Sequence, residues 1–415
     1  MTGDLSRRVF IKAGSLALVS FGLDPIFLTR SAYARAPQDG RKTLICVFQR
    51  GAVDGLNMVV PHGESDYYDV RPGIAVPGPG TAGGALDLDG HFGLHPSLID
   101  LHPFYRDGSL AVVHAVGSPD PTRSHFDAQD YMETGVPGVR TARDGWINRH
   151  LAHDREHADT PFRGVAIGAR LPRALRGEAT TLAIQNLQSF GIQARGAVRD
   201  RLADAFEELY EGRQGIVAQS SEEAFDAVRM LRSATRPPIG DVAYPPNQFG
   251  RAMQQLGQLI KMDLGLEIGF VDVGGWDTHV NQGASEGQLA NNLRNFGRTL
   301  AAFTRDLGER MSDVIVLTMS EFGRTIAENG NRGTDHGHGT AMFVMGGNVR
   351  GGRVVGNWPT LSPESRFQGR DLAVTTDFRD LFSEVLVGHL GAADLPAVFP
   401  GYLHNAGNWP RVLHA

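Results

Sequence analysis

Between residues 268 and 319 the chain reads Ile268-Gly269-Phe270-Val271-Asp272-Val273, then a stretch in which Leu289, Leu293, Phe296, Leu300, Phe303 and Leu307 recur at alternating spacings of four and three, then Val314-Ile315-Val316-Leu317-Thr318-Met319. The middle stretch has the 3.6-residue period of a helix with one apolar stripe. The runs on either side are of strand length and almost continuously apolar, the pattern of strands covered on both faces. Strand, helix, strand in that order predicts an α/β fold in which a mostly parallel sheet is flanked by helices. Moving outward, residues 43–49, 110–116, 164–168 and 341–345 read as further strands, each ending near Gly, Ser or a polar cluster. Residues 198–263 look mostly helical, broken at Arg236-Pro237-Pro238 and Tyr244-Pro245-Pro246. Residues 73–93, rich in Gly and Pro, read as a long surface loop able to cover part of a site. No internal repeat is visible.

The N-terminal end has a different character. Ser6-Arg7-Arg8-Val9-Phe10-Ile11-Lys12 resembles the twin-arginine export motif of bacteria at nearly every position, and a mildly apolar stretch over 13–28 leads to Ala32-Tyr33-Ala34, a small-x-small cleavage site. The stretch is too short and too polar to span a membrane. Residues 1–34 are therefore expected to be a signal peptide, with the mature protein passing folded through the twin-arginine translocase into the periplasm or beyond. The 381 residues that remain suffice for one large α/β domain or two ordinary ones.

Removing four basic and two acidic residues with that segment leaves 36 against 44, a net charge of −8. A mildly acidic surface gives no electrostatic reason to expect a nucleic-acid or anionic-membrane partner. The single cysteine, Cys46, lies in an apolar run and reads as a buried structural thiol, so no internal disulfide holds the exported fold.

Residues suited to chemistry gather at four predicted strand ends, where ligands bind in open α/β sheets. The first is Gln49-Arg50-Gly51-Ala52-Val53-Asp54-Gly55, in which Asp54 either ligates a metal or makes the turn. In the second, Ser118-Pro119-Asp120-Pro121-Thr122-Arg123-Ser124-His125, a helix is expected over 126–133, and Ser124 is either its N-cap or a nucleophile, with Thr122 the lesser candidate. The third is Asp272-Val273-Gly274-Gly275-Trp276-Asp277-Thr278-His279. Here Asp277 and His279 can both reach one cation, while Asp272 reads as a supporting partner behind the ligands.

The fourth is the most specific: Thr334-Asp335-His336-Gly337-His338-Gly339, shortly after Ser320-Glu321-Phe322-Gly323-Arg324. Two imidazoles and a carboxylate within four residues are costly to desolvate unless something binds them, and the glycines permit close backbone approach. The HExxH, P-loop and CxxC signatures are absent, which removes the commoner zinc-protease, nucleotide-binding and dithiol alternatives.

Taken together, Phe48-Gln49-Arg50-Gly51-Ala52-Val53-Asp54-Gly55-Leu56-Asn57, Ser124-His125-Phe126-Asp127-Ala128-Gln129, Gly275-Trp276-Asp277-Thr278-His279, Ser320-Glu321-Phe322-Gly323-Arg324-Thr325 and Thr334-Asp335-His336-Gly337 resemble the bacterial DUF1501 family. That family is of uncharacterised function and is placed with the alkaline phosphatase and sulfatase superfamily. The resemblance implies an alkaline phosphatase-like core forming one domain over 35–415, with insertions near 62–95 and 170–250. It also implies two divalent metal ions (Zn, Mn, Mg or Ca) and a nucleophile at a helix start, which falls on Ser124. Asp54 would be the first-strand aspartate, Asp277 and His279 would serve one metal, and Asp335-His336 would serve the other, with His338 beyond.

One departure from the superfamily pattern stands out. Its Asp-His pair commonly follows a strand directly, where this chain has Glu321-Phe322. Either the intervening loop is an insertion, or Glu321 is the ligand, Phe322 marks a lost histidine, and His336 and His338 serve the other metal. The expected activity is hydrolysis of a phosphate or sulfate ester, small or polymer-linked, with Arg50 or Arg324 clamping the anion. The modified-cysteine nucleophile of the best-known sulfatases has no counterpart. A different class, a metal-stabilised binding or assembly protein of the cell envelope, is the alternative.

Overall fold

A computed structural model describes residues 41–154, 160–188, 226–231 and 240–414, together with 18–19, 190 and 233–234. The segment read as an export signal thus lies outside the described residues apart from 18–19, as does most of the stretch expected to be helical before residue 240. In chain order the main strands are β1 (Thr43–Gln49), β2 (Leu110–Gly117), β3 (Gly164–Ile167), β4 (Thr181–Ile184), β5 (Ile268–Val273), β6 (Val314–Met319), β7 (Thr340–Gly346), β8 (Arg353–Val355) and β9 (Thr376–Asp377). Five helices matter for the argument: α1 (Gly55–Met58), α2 (His125–Thr134), α3 (Trp146–His153), α4 (Gln288–Leu307) and α5 (Phe378–Leu390).

The chain divides into two compact units, the larger formed by 42–142, 240–254 and 271–415. In it β1 and β6 run parallel, in the register Thr43↔Val314 to Phe48↔Met319. β7 is antiparallel to both β6 and β2, while β8 and β9 pair with β2 in parallel. Every residue of β1, β2, β6 and β7 is buried, which is why their sequences lack polar alternation. Burial pushes the Cys46 thiol well above its usual range, as expected of a structural cysteine. The apolar stripe of α4 is buried along its whole length, and its Phe296 meets Phe343 of β7 and Trp276. A small three-stranded antiparallel sheet of Val59–Val60, Gly93–Leu94 and Leu86–Asp87 occupies part of the insertion expected near 62–95.

The smaller unit takes the described parts of 1–41, 143–239 and 255–270. There β3 pairs in parallel with β4 and with the start of β5, and α3 contributes Trp146, Ile147 and Leu151 to its core. His150, Glu267 and Arg163 form a buried ion cluster, with Glu267 accepting from His150 at 3.0 Å and from Arg163 at 2.8 Å. The mostly parallel α/β architecture read from the sequence is the one the chain adopts. Strand β4, only four residues long, was not anticipated.

Three buried histidines tie the larger unit's stability to pH. His114 donates from Nε2 to the Val59 carbonyl and accepts the Ala115 N–H at Nδ1, so its neutral form satisfies both ring nitrogens. His95 does the same between Ala284 and Ser97, and His389 donates to the Thr43 carbonyl. Burial lowers all three to about 4. A histidine depressed on folding contributes full stability above its unfolded value near 6.5, and that contribution is lost as pH falls from there toward 4. Urea unfolding at pH 7, 6 and 5 is expected to show stability falling, each histidine adding up to about 1.4 kcal/mol per pH unit. A flat profile would contradict the neutral, buried assignment.

Candidate metal centre

The topology of the larger unit gathers the site at one sheet edge. Chain leaving β1, β2, β5 and β6 there carries Arg50–Asp54, Ser118–Ser124, Gly274–His279 and Ser320–Arg324, while β7, running the other way, is entered there from Asp335–His338. Two of these loops are joined backbone to backbone: Gly323 N donates to His338 O at 2.8 Å and Gly337 N to Gly323 O at 2.9 Å. A Cβ on Gly323 would lie 1.8 Å from the Gly339 carbonyl, so only glycine permits this approach. Gly51, at φ +110°, brings the end of β1 against the loop after β5, since a Cβ there would meet the Asp277 nitrogen at 2.9 Å.

At the centre lies Asp277. Its Oδ1 is 3.0 Å from His279 Nε2, 3.4 Å from His336 Nε2 and 3.5 Å from His125 Nε2. Behind each ring stands an oxygen. His279 Nδ1 meets Asp335 Oδ1 at 3.2 Å, His336 Nδ1 meets the Arg123 carbonyl at 2.8 Å, and His125 Nδ1 meets Glu321 Oε1 at 2.8 Å. An acceptor at Nδ1 places the proton there, so in the neutral rings all three Nε2 lone pairs turn inward. His279 Nε2 and His336 Nε2 then face each other at 2.9 Å, and His125 Nε2 makes no hydrogen bond. Arg324 Nη1 reaches His279 Nε2 only at a long 3.4 Å, and lone pairs opposed across such a gap repel unless a proton or a further cation lies among them. Burial lowers the pKa of His336, which disfavours a proton on that ring. Imidazoles held at Nδ1 by an oxygen and presenting Nε2 to a shared carboxylate are the usual surroundings of a divalent cation. The residues fit one.

The charged groups around this centre are set by the same contacts. Burial pushes the Glu321 carboxyl up, but hydrogen bonds from His125, Gln129 and the Gly51 N–H outweigh it and leave it below its usual value. Burial likewise pushes the Asp277 carboxyl up, but Arg324, with His279 and His125, together hold it below its usual value. His125 is raised by its bond to Glu321 against the cost of burial. Asp335 is lowered chiefly by the Asn329 amide at 3.0 Å.

Asp277, His279 and His336 are thus brought together with Asp335 and Glu321 standing behind them, and His125 joins them. Asp54 is placed elsewhere. It is fully buried as the N-cap of α1, accepting the Leu56 and Asn57 N–H groups and pairing with Arg71 and Gln282 at 2.6 Å each. His338 stacks on Phe367 with ring centroids 4.2 Å apart, away from the three converging rings, and burial lowers it to about 4. Ser124 is the N-cap of α2, its hydroxyl accepting the Asp127 N–H at a long 3.5 Å. Gly135, in the left-handed conformation, closes that helix.

Both candidate arginines are held by protein acceptors. Arg50 reaches Asp272, Gln129 and Glu133. Arg324 is 1% exposed and donates to the carbonyls of Gly51, Ala52, Trp276 and Thr334 and to Asp277 Oδ1, the last at 2.6 Å. His125 is the residue that sequence reasoning passed over. Its signal was faint: a histidine at a helix start, with Gln129 one turn on along the same face, both bonded to Glu321 Oε1.

A family model described as "Protein of unknown function (DUF1501)" matches residues 41–387. The chain belongs to the DUF1501 family. No curated protein matches it in sequence. Solved structures similar to this DUF1501 chain include the C-terminal periplasmic domain of EcEptC from Escherichia coli, at 10% identity over 89% of each chain with a TM-score of 0.40. The PsFucS1 sulfatase from Pseudoalteromonas sp. is 14% identical over 91% of this chain and 74% of its own, with a TM-score of 0.39. An alkaline phosphatase from the Antarctic bacterium TAB5 is 10% identical over 75% and 93%, with a TM-score of 0.30. Among the described residues of the DUF1501 chain, no helix is long and apolar enough to cross a membrane.

Proposed function

We propose that this protein is an exported, metal-dependent hydrolase of phosphate or sulfate esters, acting in the periplasm or outside the cell after twin-arginine export, with Ser124 as nucleophile. The observation that carries this reading is the convergence of imidazole lone pairs on the Asp277 carboxylate. Asp277, His279 and His336 would hold the ion, and a nitrogen-rich set of this kind favours Zn or Mn over Mg or Ca. A divalent cation so held supplies a Lewis acid for a phosphoryl or sulfuryl oxygen.

The protein's own part is positioning. Ser124 lies between Arg123, whose carbonyl takes the His336 Nδ1–H, and His125, whose ring faces Asp277, so the backbone on both sides of the hydroxyl is fixed to the site. Its capping bond is long, and releasing the hydroxyl for attack costs little. The first turn of α2 presents N–H groups suited to the charge that grows on the transferred group.

A second reading, the metal-stabilised envelope binding protein, is favoured by the arginines. The nitrogens of Arg50 and Arg324 are directed to protein acceptors, which leaves neither placed to clamp a substrate anion. Metal analysis combined with a screen of aryl phosphate, phosphodiester and sulfate substrates separates the two. The hydrolase reading expects turnover on one of these classes and a loss of at least about a thousandfold in Ser124→Ala with the metal retained. Bound metal with no turnover on any ester would leave the binding reading standing.

A further inference from the structure

The superfamily that the sequence resembles uses two metal ions, and the residues of this chain do not fit the second. Asp54 is enclosed with Arg71 and Gln282. Glu321 is fully buried, and its Oε1 already accepts from the Gly51 N–H at 2.8 Å, His125 Nδ1 at 2.8 Å and the Gln129 amide at 2.9 Å, while Ser320 reaches Oε2 at 3.3 Å. Phe322, where the superfamily pattern has a histidine, is buried and stacks on the His125 ring at 5.0 Å. What lies beside Asp277 instead is the Arg324 guanidinium.

We infer that the centre takes a single divalent cation, with His125 joining Asp277, His279 and His336 as a ligand and Arg324 supplying the positive charge that a second ion would bring. The inference rests on the metal-dependent reading above and goes beyond it in stoichiometry and in ligand set. Arg324 cannot withdraw to make room. It is 1% exposed, and moving it would leave the carbonyls of Gly51, Ala52 and Thr334 without their donor in a buried place, Trp276 keeping only the Thr278 N–H. With Arg324 fixed 2.6 Å from the carboxylate oxygen and one ion already on it, a second cation sharing Asp277 would meet two like charges where the first meets one.

His125 has the opposite standing. Its Nδ1–H is held by Glu321, its ring is stacked against Phe322, and its Nε2 points toward Asp277 with no hydrogen bond of its own. Glu321 is then a positioning residue, setting the tautomer and direction of the His125 ring from behind.

The test is a count. The purified chain is dialysed against Zn²⁺ or Mn²⁺, the bound metal is measured by elemental mass spectrometry, and affinities are taken by calorimetry. One ion per chain is expected. His125→Ala and the more conservative His125→Gln, each shown to fold by circular dichroism, are expected to weaken binding by about a hundredfold or more, and Glu321→Gln by about tenfold with the count still at one. Two ions per chain would overturn the single-ion inference and leave the metal-dependent reading intact, whereas no bound ion would overturn both. Unchanged affinity in the folded His125 variants would remove His125 from the ligand set.

Discussion

Replacing Arg71 with methionine is expected to lower the free energy of unfolding by about 3–5 kcal/mol, a large effect for a single change outside the apolar core. Arg71 and Asp54 are both fully buried, and Arg71 Nη1 lies 2.6 Å from Asp54 Oδ2. Methionine fills much of the same volume but leaves the aspartate as an unpaired charge with no water to solvate it. The guanidinium also donates to Asn57 and to the carbonyls of Thr325 and Ile326, which follow Arg324 directly. The substitution should therefore loosen the 320–326 loop as well as unfold the protein earlier in urea. The double variant Asp54→Asn with Arg71→Met is expected to recover part of the loss, because it removes the stranded charge. If Arg71→Met unfolds at the wild-type urea midpoint, the pair is not the anchor of this loop.

That pair also shows where the sequence stopped speaking. Strands β1, β2, β5, β6 and β7 and the stripe of α4 were legible because burial on both faces, or on one helical stripe, leaves a periodic record along the chain. That Asp277, His279 and His336 would come together was legible for a chemical reason: ligand-type side chains crowded into glycine-rich loops are hard to explain otherwise. Asp54 carried the same local mark, an acid before glycine at a strand end. What separates a helix cap from a ligand there is Arg71, seventeen residues on, and Gln282, further still, and neither can be seen from the local pattern.

His125 and Arg324 were obscured in complementary ways. A histidine at a helix start looks ordinary until Glu321, 196 positions away, fixes its tautomer. An arginine near candidate ligands looks like an anion clamp until its nitrogens are traced to four carbonyls from three separate loops. Strand order and the division into two units left no periodic trace either, because they depend on which strand ends meet.

Asp277→Asn should have the greatest effect on function. Among the described residues, the Asp277 carboxylate is the group that all three converging imidazoles and Arg324 approach, with Oδ1 between 2.6 and 3.5 Å from each. The amide keeps the shape, removes the charge, and can turn an N–H toward the imidazole lone pairs, satisfying as a donor the acceptors that the cation would otherwise take. Losing a partner that merely orients a ligand weakens a metal site by about 10–100-fold. Asp335→Asn, which meets the centre through the far side of His279 and otherwise accepts from Asn329, is expected in that range. Losing the shared anionic ligand should exceed it, so Asp277→Asn is expected to bind Zn²⁺ more than about a hundredfold more weakly and to hold no ester hydrolysis above background. Comparing the two variants by calorimetry separates a ligand from its support. Equal losses would mean that Asp277 acts as Asp335 does, by orienting His279, and that the cation lies elsewhere. A large loss at Asp277 beside a modest one at Asp335 is the result expected of a carboxylate that ion and guanidinium share, joining the loop after β5 to the loop before β7.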